Sequence, residues 1–327
     1  MADYLSARAR VVVRPCVVWV PIAFMQVEAG FDIGPAKVLP ITAQILDERE
    51  TAYVAGTPNQ AEEISQLFAN LRKKMQGLAA VVMAVEGEPG HAQCRAIDVA
   101  ADVIGLLRLF SGAAYTPWLL CPCAVLGSEV ILRTTSLVFG PSNEFRASEE
   151  TVGNVGYWNL SAAELTVMRQ SGLDKLSGLV DEDGLNEYRR RVRASILAYS
   201  KGTTLPDISD RLVYTLSSLE GLLLKDASEP IQQNLGERMA FLIESKAEAR
   251  QSIVQNVRAA YNMRSQYIHH RVTVVEEDAL FVSHQEVMVL EFFKANGVQI
   301  DPVLLQIFVI EPHIYVVVDQ TGSGMHE

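Results

Sequence analysis

The sequence predicts an α+β protein in which an N-terminal mixed α/β domain is followed by an all-helical bundle. Residues 10–25 are rich in Val, Ile, Trp and Phe, side chains that favour β-strands. From Leu185 onward, by contrast, apolar residues recur at helical spacing. The connections between these helical stripes are short, which favours antiparallel neighbours and hence a bundle.

The chain divides into three predicted parts. Its 327 residues suit two domains, since a domain usually has roughly 100–200 residues. We assign residues 1–180 to an N-terminal α+β domain of unknown role and residues 185–295 to the helical bundle. Residues 296–327 are a predicted C-terminal extension with strand character, because strand-forming residues return over 305–318.

Several elements are predicted within the N-terminal domain. Asn59 followed by Glu62 resembles a capping box and begins a helical stripe. A second helix covers about residues 93–110, with Ile97 and Val103 among its inward side chains. The other predicted elements are a strand over 130–139, a loop over 140–158 and short helices over 162–171 and 174–180. No motif in this domain indicates chemistry.

The bundle helices are marked by start and stop signals. Gly202 ends the first helix, and Asp207 or Ser209 caps the second. Pro230 begins the third, and a fourth runs to the two histidines discussed below. A capping box at residues 283–286 begins a further helix.

The charge of the chain excludes one class of nucleic-acid-binding protein. The 28 Lys and Arg residues are outnumbered by 39 Asp and Glu residues, so the formal net charge is −11. The chain cannot coat nucleic acid by bulk charge, and RNA binding would need a local basic cluster. The densest basic run is Arg189, Arg190, Arg191 and Arg193, which is either a solvated helix face or that cluster.

No metal, cofactor or membrane is expected as a partner. The four cysteines are too few for a disulfide scaffold, and Cys121 and Cys123 lack a second pair that would complete a zinc site. Buried reduced thiols are the expectation. The longest uncharged apolar run covers only residues 16–25, whereas a bilayer-spanning helix needs about 20 residues. We therefore predict a cytoplasmic protein.

The most distinctive segment is Tyr261-Asn-Met-Arg264-Ser265-Gln-Tyr-Ile-His269-His270, which ends the fourth bundle helix. Arg264 and His269 are five positions apart, which places them about 140° apart around a regular helix. They converge only if the helix breaks before His269 or if a second chain brings its own pair alongside. The spacing therefore favours a site at a helix end or across a two-fold interface.

Together, an Arg and a His suit the cleavage of RNA without a metal ion. The guanidinium stays charged and can hold a non-bridging phosphate oxygen as negative charge develops. The imidazole can take a proton from the ribose 2′-hydroxyl or give one to the leaving oxygen near neutral pH. The spacing alone also allows a second interpretation, a solvated helix end without chemistry.

This segment resembles the end of the HEPN domain, in particular its ApeA-like branch. That family carries an Arg followed a few residues later by a His, with a Tyr upstream and a Ser directly after the Arg. Tyr261, Arg264, Ser265 and His269 match this pattern, whereas His270 stands where the family usually has Gly.

Two earlier segments extend the resemblance to about residues 185–295. They are Arg211-Leu-Val-Tyr-Thr-Leu-Ser-Ser-Leu219-Glu220-Gly-Leu222-Leu223 and Gly236-Glu-Arg238-Met-Ala. The resemblance implies a helical bundle that dimerises, with Arg and His from both chains lining a cleft. It implies metal-independent ribonuclease activity in defence or toxin-like members, and it also implies that some relatives bind without cutting.

Together, the resemblance and the residue types predict a site. The predicted residues are the catalytic pair Arg264 and His269, the supporting residues Ser265, His270, Glu220 and Tyr261, and the possible RNA contacts Arg238, Arg189, Arg190 and Arg193. Glu220 either supports Arg264 or a site proton, or is a surface acid. Arg238 contacts phosphate or forms an ordinary salt bridge, and Tyr267 stacks on a base or packs in the core.

The functional prediction is an HEPN-type, metal-independent endoribonuclease, related to antiviral defence or to toxins. Arg264 would stabilise the phosphate and His269 would be the general acid or base. The alternative is a non-catalytic HEPN module that binds a nucleotide, RNA or a protein. In either case the expected partners are a second copy of the chain and an RNA or nucleotide ligand.

Overall fold

The computed structural model describes residues 13–114, 116, 118–129, 133–139, 145–151, 157–181, 184–225 and 228–274. The predicted helix that begins at residues 283–286 and the predicted extension over residues 296–327 lie outside the described residues. Where it is described, the chain has an α+β fold, as the sequence predicts, with helices predominating over a small antiparallel sheet. Among the described residues, no helix combines the length and the apolar character needed to cross a bilayer.

A five-stranded antiparallel sheet lies at the centre of the N-terminal part. Its strands are β1 (Arg14–Ala23), β3 (Phe31–Ile33), β4 (Ala36–Pro40), β5 (Ala79–Gly87) and β6 (Ala124–Val125). The order across the sheet is β3-β4-β5-β1-β6. The two longest strands, β1 and β5, pair from Arg14 opposite Gly87 to Ile22 opposite Ala79.

Two strand pairs lie outside this sheet. The short strand β2 (Met25–Val27) runs parallel to β9 (Trp158–Leu160). The strands β7 (Arg133–Phe139) and β8 (Phe145–Thr151) form an antiparallel pair.

Both faces of β5 are buried from Ala79 to Met83, whereas Ala84 and Glu86 are exposed. Val81 and Met83 belong to the main core, whereas Ala80 and Val82 join a smaller cluster on the opposite face. This follows from the alternation of side chains along a strand. Because both faces are covered, the sequence of β5 is nearly continuously apolar and lacks the period-two pattern that marks a half-buried strand.

Three helices accompany the sheet. They are α1 (Ala43–Gly56), α2 (Ala61–Met75) and α3 (Pro89–Leu107). Thr42 caps α1, because its side chain accepts a hydrogen bond from the N–H of Ile45. Helix α3 crosses one face of the sheet against β1 and β5, while α1 and α2 lie over the other.

The remaining helices lead into the bundle and form it. The short helices α4 (Ala162–Gln170) and α5 (Leu173–Ser177) come first. The bundle helices are α6 (Glu187–Gly202), α7 (Ile208–Leu223), α8 (Ile231–Ile243) and α9 (Ala247–His270). Asp207 caps α7, one of the two predicted caps, by accepting from the N–H groups of Ser209 and Asp210 at 2.7 and 3.1 Å. Since α7 packs against α6, α8 and α9, it is the central helix of the bundle.

One hydrophobic core joins the sheet and the bundle. Leu212 and Leu216 of α7 belong to the same cluster of buried side chains as Val81 of β5. Helix α3 packs against α6 at this junction. Gly105 of α3 permits the close approach, because a Cβ there would lie 2.5 Å from Cδ2 of Leu197.

A buried arginine reinforces the junction. The Arg211 side chain is 1% exposed. Its guanidinium donates to the carbonyl oxygens of Ala113 at 2.6 Å and Leu119 at 2.7 Å, with a longer contact of 3.4 Å to Thr116. These bonds attach the backbone at Ala113, Thr116 and Leu119 to α7, so Arg211 has a structural position in the bundle.

Some predictions for the N-terminal part are wrong. The predicted loop over residues 140–158 contains β8 and the first residue of β9. Asn59 does not cap a helix, because it lies in a short 3-10 turn and α2 begins after Gln60, which makes no capping hydrogen bond. Ile97 is exposed on α3, whereas Val103 is buried as predicted.

Candidate functional site

The guanidinium of Arg264 is held between α7 and α9. Its Nη1 donates to Oε1 of Glu220 at 2.6 Å, and the hydroxyl of Tyr261 donates to the same oxygen at 2.8 Å. The Arg264 and Glu220 side chains are 24% and 23% exposed. Glu220 therefore contacts Arg264 directly, and the alternative of a free surface acid does not describe its position.

The hydrogen bonds of this cluster do not use every N–H group of the Arg264 guanidinium. Within the described part of the chain, Nε of Arg264 is buried and has no hydrogen-bond partner. Burial, and then the hydrogen bond to Glu220, raise the pKa of Tyr261, so its hydroxyl remains a donor at neutral pH. Glu220 and Tyr261 thus fix the orientation of Arg264 without using all of its N–H groups.

The histidines are not brought to this cluster within one chain. Helix α9 runs unbroken to His270, and His269, His270 and Ser265 are all exposed. The regular helix keeps Arg264 and His269 about 140° apart. Of the two ways in which the pair could converge, a helix break before His269 is therefore absent.

The end of α9 bears on position 270, where the sequence has His in place of the expected glycine. The left-handed residue that ends the helix is Arg271, with φ of 55°, while His270 is still helical. Left-handed backbone is the conformation that favours glycine. Because His270 is helical, its position does not require a glycine.

Tyr267 is the next residue of α9 that contacts α7. Its hydroxyl donates to Oδ1 of Asp210 at 2.7 Å, and this hydrogen bond raises the pKa of Tyr267 to about 12. The side chain is half-buried rather than part of the core. Asp210 had no signal in the sequence, because it lies 57 positions from its partner.

The predicted RNA-contacting arginines have protein partners. Arg238 donates to the carbonyl of Leu223 and pairs with Glu229, which is the ordinary salt-bridge alternative. Arg189 and Arg190 donate to the carbonyls of Gly178 and Leu185. Arg193 pairs with Asp102 of α3, and Arg191 pairs with Glu187 one turn away. Of this run, Arg193 connects α6 to α3, while Arg189 and Arg190 remain exposed at the start of α6.

The pairing of Arg238 with Glu229 has a pH-dependent consequence. The hydrogen bond from Arg238 is the largest cause that lowers the pKa of Glu229 from 4.5 to about 2. A carboxylate with a depressed pKa stabilises the fold fully above its unfolded pKa and loses that effect as pH falls through its folded pKa. We expect Glu229→Gln to lower the melting temperature at pH 7, with a difference that shrinks between pH 4.5 and pH 3.

Thermal melts followed by circular dichroism across this pH range test the expectation. Glu237→Gln is the matched control, since Glu237 is exposed on α8, next to Arg238. A difference in melting temperature that stays constant from pH 7 to pH 3 would contradict the assigned role of Glu229.

The cysteines form no metal site among the described residues. All four are free thiols, and Cys121 and Cys123 are buried as expected, whereas Cys94 is exposed. The hydrogen bond with Cys123 and the nearby Arg108 guanidinium lower the pKa of the Cys121 thiol. In the described part of the chain, no group of three or more His, Cys, Asp or Glu side chains could hold a metal ion.

The site can accordingly be described from its residues. One chain supplies an oriented, partly exposed arginine and, on another face of the same helix, an exposed histidine. Comparison with known proteins found no matching family model, no matching curated protein and no matching solved structure.

Proposed function

We propose that this protein is an HEPN-type, metal-independent endoribonuclease that acts as a cytoplasmic homodimer in cellular defence or as a toxin-like effector. The observation that carries the proposal is the orientation of Arg264 by Glu220 and Tyr261 at the surface of the bundle. An arginine fixed by a carboxylate, with N–H groups left over, suits the recognition of a phosphate. The resemblance of residues 185–295 to the HEPN family supports the same function.

In the proposed reaction the RNA supplies its own nucleophile. A ribose 2′-oxygen attacks the adjacent phosphorus, its proton passes to a base, and the 5′-oxygen leaves with a proton from an acid. The products are a 2′,3′-cyclic phosphate and a 5′-hydroxyl. Arg264 stabilises the charge that builds on the non-bridging oxygens, and His269 moves a proton at one of the two ends.

The proposed site is shared between two chains. Because α9 does not break before His269, the His269 of the same chain does not reach Arg264, and in the proposed dimer the second chain supplies the histidine. A two-fold axis beside α9 would place each arginine opposite the other chain's histidine and would make two equivalent sites.

A second function is favoured by a specific observation. Glu220 already compensates the charge of Arg264, and the chain carries a net charge of −11. Both features weaken the attraction for a polyanion. A non-catalytic HEPN module would use the same arginine to hold a nucleotide, RNA or a protein carboxylate without a proton-transfer partner.

RNA cleavage by the purified protein in EDTA distinguishes these functions. We expect cleavage of a labelled RNA to continue unchanged in EDTA, because the mechanism uses no metal ion. A substrate with 2′-deoxyribose at every position is the matched control and should remain intact, since it lacks the nucleophile. Cleavage that stops in EDTA and returns with Mg²⁺ would rule out the Arg264 and His269 mechanism. Binding of RNA without cleavage would favour the second function.

A further inference from the structure

A half-open apolar groove lies on the sheet face opposite the main core, far along the chain from Arg264. It is formed where α1 and α2 cover β1 and β5 incompletely. Val17 of β1 and Tyr53 of α1 line it and are each 62% exposed. The groove is thus open to solvent at these two side chains.

The groove has the size and the walls of a site for a small aromatic molecule. Its volume is about 220 Å³, whereas a cavity of about 150 Å³ already holds benzene. The lining is aromatic and aliphatic: Val17, Trp19, Ile41, Ile45, Leu46, Tyr53, Phe68 and Met75. Tyr53 and Phe68 lie with ring centroids 6.3 Å apart, and Trp19 packs against the small cluster beneath them.

One charged side chain lines this groove. Arg49 lies one helical turn from Ile45 and from Tyr53, so all three share the face of α1 that lines the groove. Arg49 is exposed, and among the described residues it has no hydrogen bond or salt bridge.

The acidic neighbours of Arg49 do not neutralise it by contact. Asp47 and Glu50 both pair with Arg72 at 2.5 Å. Glu48 accepts a hydrogen bond from Gln44 at 2.8 Å. The guanidinium of Arg49 therefore remains available to an anion at the edge of the apolar groove.

We propose that this groove binds a small aromatic carboxylate, with the ring system against Trp19, Tyr53 and Phe68 and the carboxylate on Arg49. Small-molecule sites are usually apolar pockets with a small number of polar groups, and here Arg49 is the charged group at the edge. The site belongs to the N-terminal part and does not depend on the proposed ribonuclease function, because none of its lining residues contacts the Arg264 cluster.

Calorimetric titration of the full chain with 2-naphthoate tests the proposal, with neutral 2-naphthalenemethanol as the matched ligand. We expect saturable binding of 2-naphthoate that Arg49→Gln weakens by about two- to fivefold, as an exposed ion pair allows. The same variant should leave the affinity for the alcohol unchanged. Arg169→Gln, which removes an exposed arginine from α4 outside the groove, should alter neither affinity.

Val17→Asp supplies a second arm that does not depend on Arg49. Val17 is exposed, so the change should preserve the fold, but its carboxylate would repel an anion at the mouth of the groove. We expect loss of 2-naphthoate binding with an unchanged melting temperature.

Three results would overturn the proposal. The first is the absence of saturable 2-naphthoate binding to the wild-type chain. The second is equal affinity in the wild type and in Arg49→Gln. The third is a molar mass, measured by light scattering, that is lower for Val17→Asp than for the wild type. That result would show that the groove is a contact between copies of the chain.

Discussion

His269→Ala is expected to reduce RNA cleavage by at least about 100-fold, which is the usual contribution of a general acid or base. His269 is exposed at the end of α9. Removing its side chain should therefore leave the fold intact. The measurement is the single-turnover rate of cleavage of a labelled RNA, with wild-type melting required of each variant.

Two companion variants separate His269 from its neighbours. His270→Gly should retain most activity, because it restores the residue that the HEPN family usually has and because His270 is at the helix end. Arg264→Lys should lose activity like His269→Ala, since a point charge cannot reproduce both the bond to Glu220 and the contact with phosphate. His91→Ala, an exposed histidine on α3, is the matched control and should cut like the wild type.

The pattern of the variants assigns the catalytic position. Loss of cleavage in His270→Gly together with normal cleavage in His269→Ala would assign the role of general acid or base to His270. Normal cleavage in all of the variants would place the site elsewhere in the chain.

Arg211→Leu is expected to destabilise the protein by about 3 kcal/mol or more. The substitution leaves the carbonyls of Ala113 and Leu119 without their buried donor, and each such loss costs roughly 1–3 kcal/mol. The measurement is the free energy of unfolding from urea denaturation, followed by far-ultraviolet circular dichroism.

Arg169→Leu is the matched control for this second variant. Arg169 is exposed, so the change should alter the free energy of unfolding by less than about 0.5 kcal/mol. If Arg211→Leu were equally mild and instead impaired RNA cleavage, Arg211 would belong to the site rather than to the junction between sheet and bundle.

The bundle could be predicted from the sequence because its signals are local. Asp207 caps α7 two residues from the N–H of Ser209, and apolar stripes at helical spacing mark each helix. The sequence did not predict strand β5, because the signals that define this strand are not local. Its pairing with β1 joins residues distant in sequence, and a strand buried on both faces shows no alternation.

The contacts around Arg264 could be predicted from the sequence only in part. Arg264 and Glu220 are 44 positions apart, so only the resemblance of both segments to one family suggested their contact. The partners of Arg189, Arg190 and Arg193 depend on how the sheet packs against α6, which a local pattern cannot show. Sequence spacing specified two ways in which Arg264 and His269 could converge, and the unbroken helix removes the one within a single chain.

Complementation between two inactive variants tests the shared site most directly. Arg264→Ala and His269→Ala are purified separately, then mixed under conditions that exchange chains, and formation of the mixed dimer is checked by affinity tags. Each mixed dimer would have one site with both Arg264 and His269 and one site with neither. Random exchange makes about half of the dimers mixed, and one of the two sites in each mixed dimer is complete. We therefore expect recovery of about a quarter of wild-type cleavage. Mixed dimers that form and recover no cleavage would contradict a site built from Arg264 of one chain and His269 of the other.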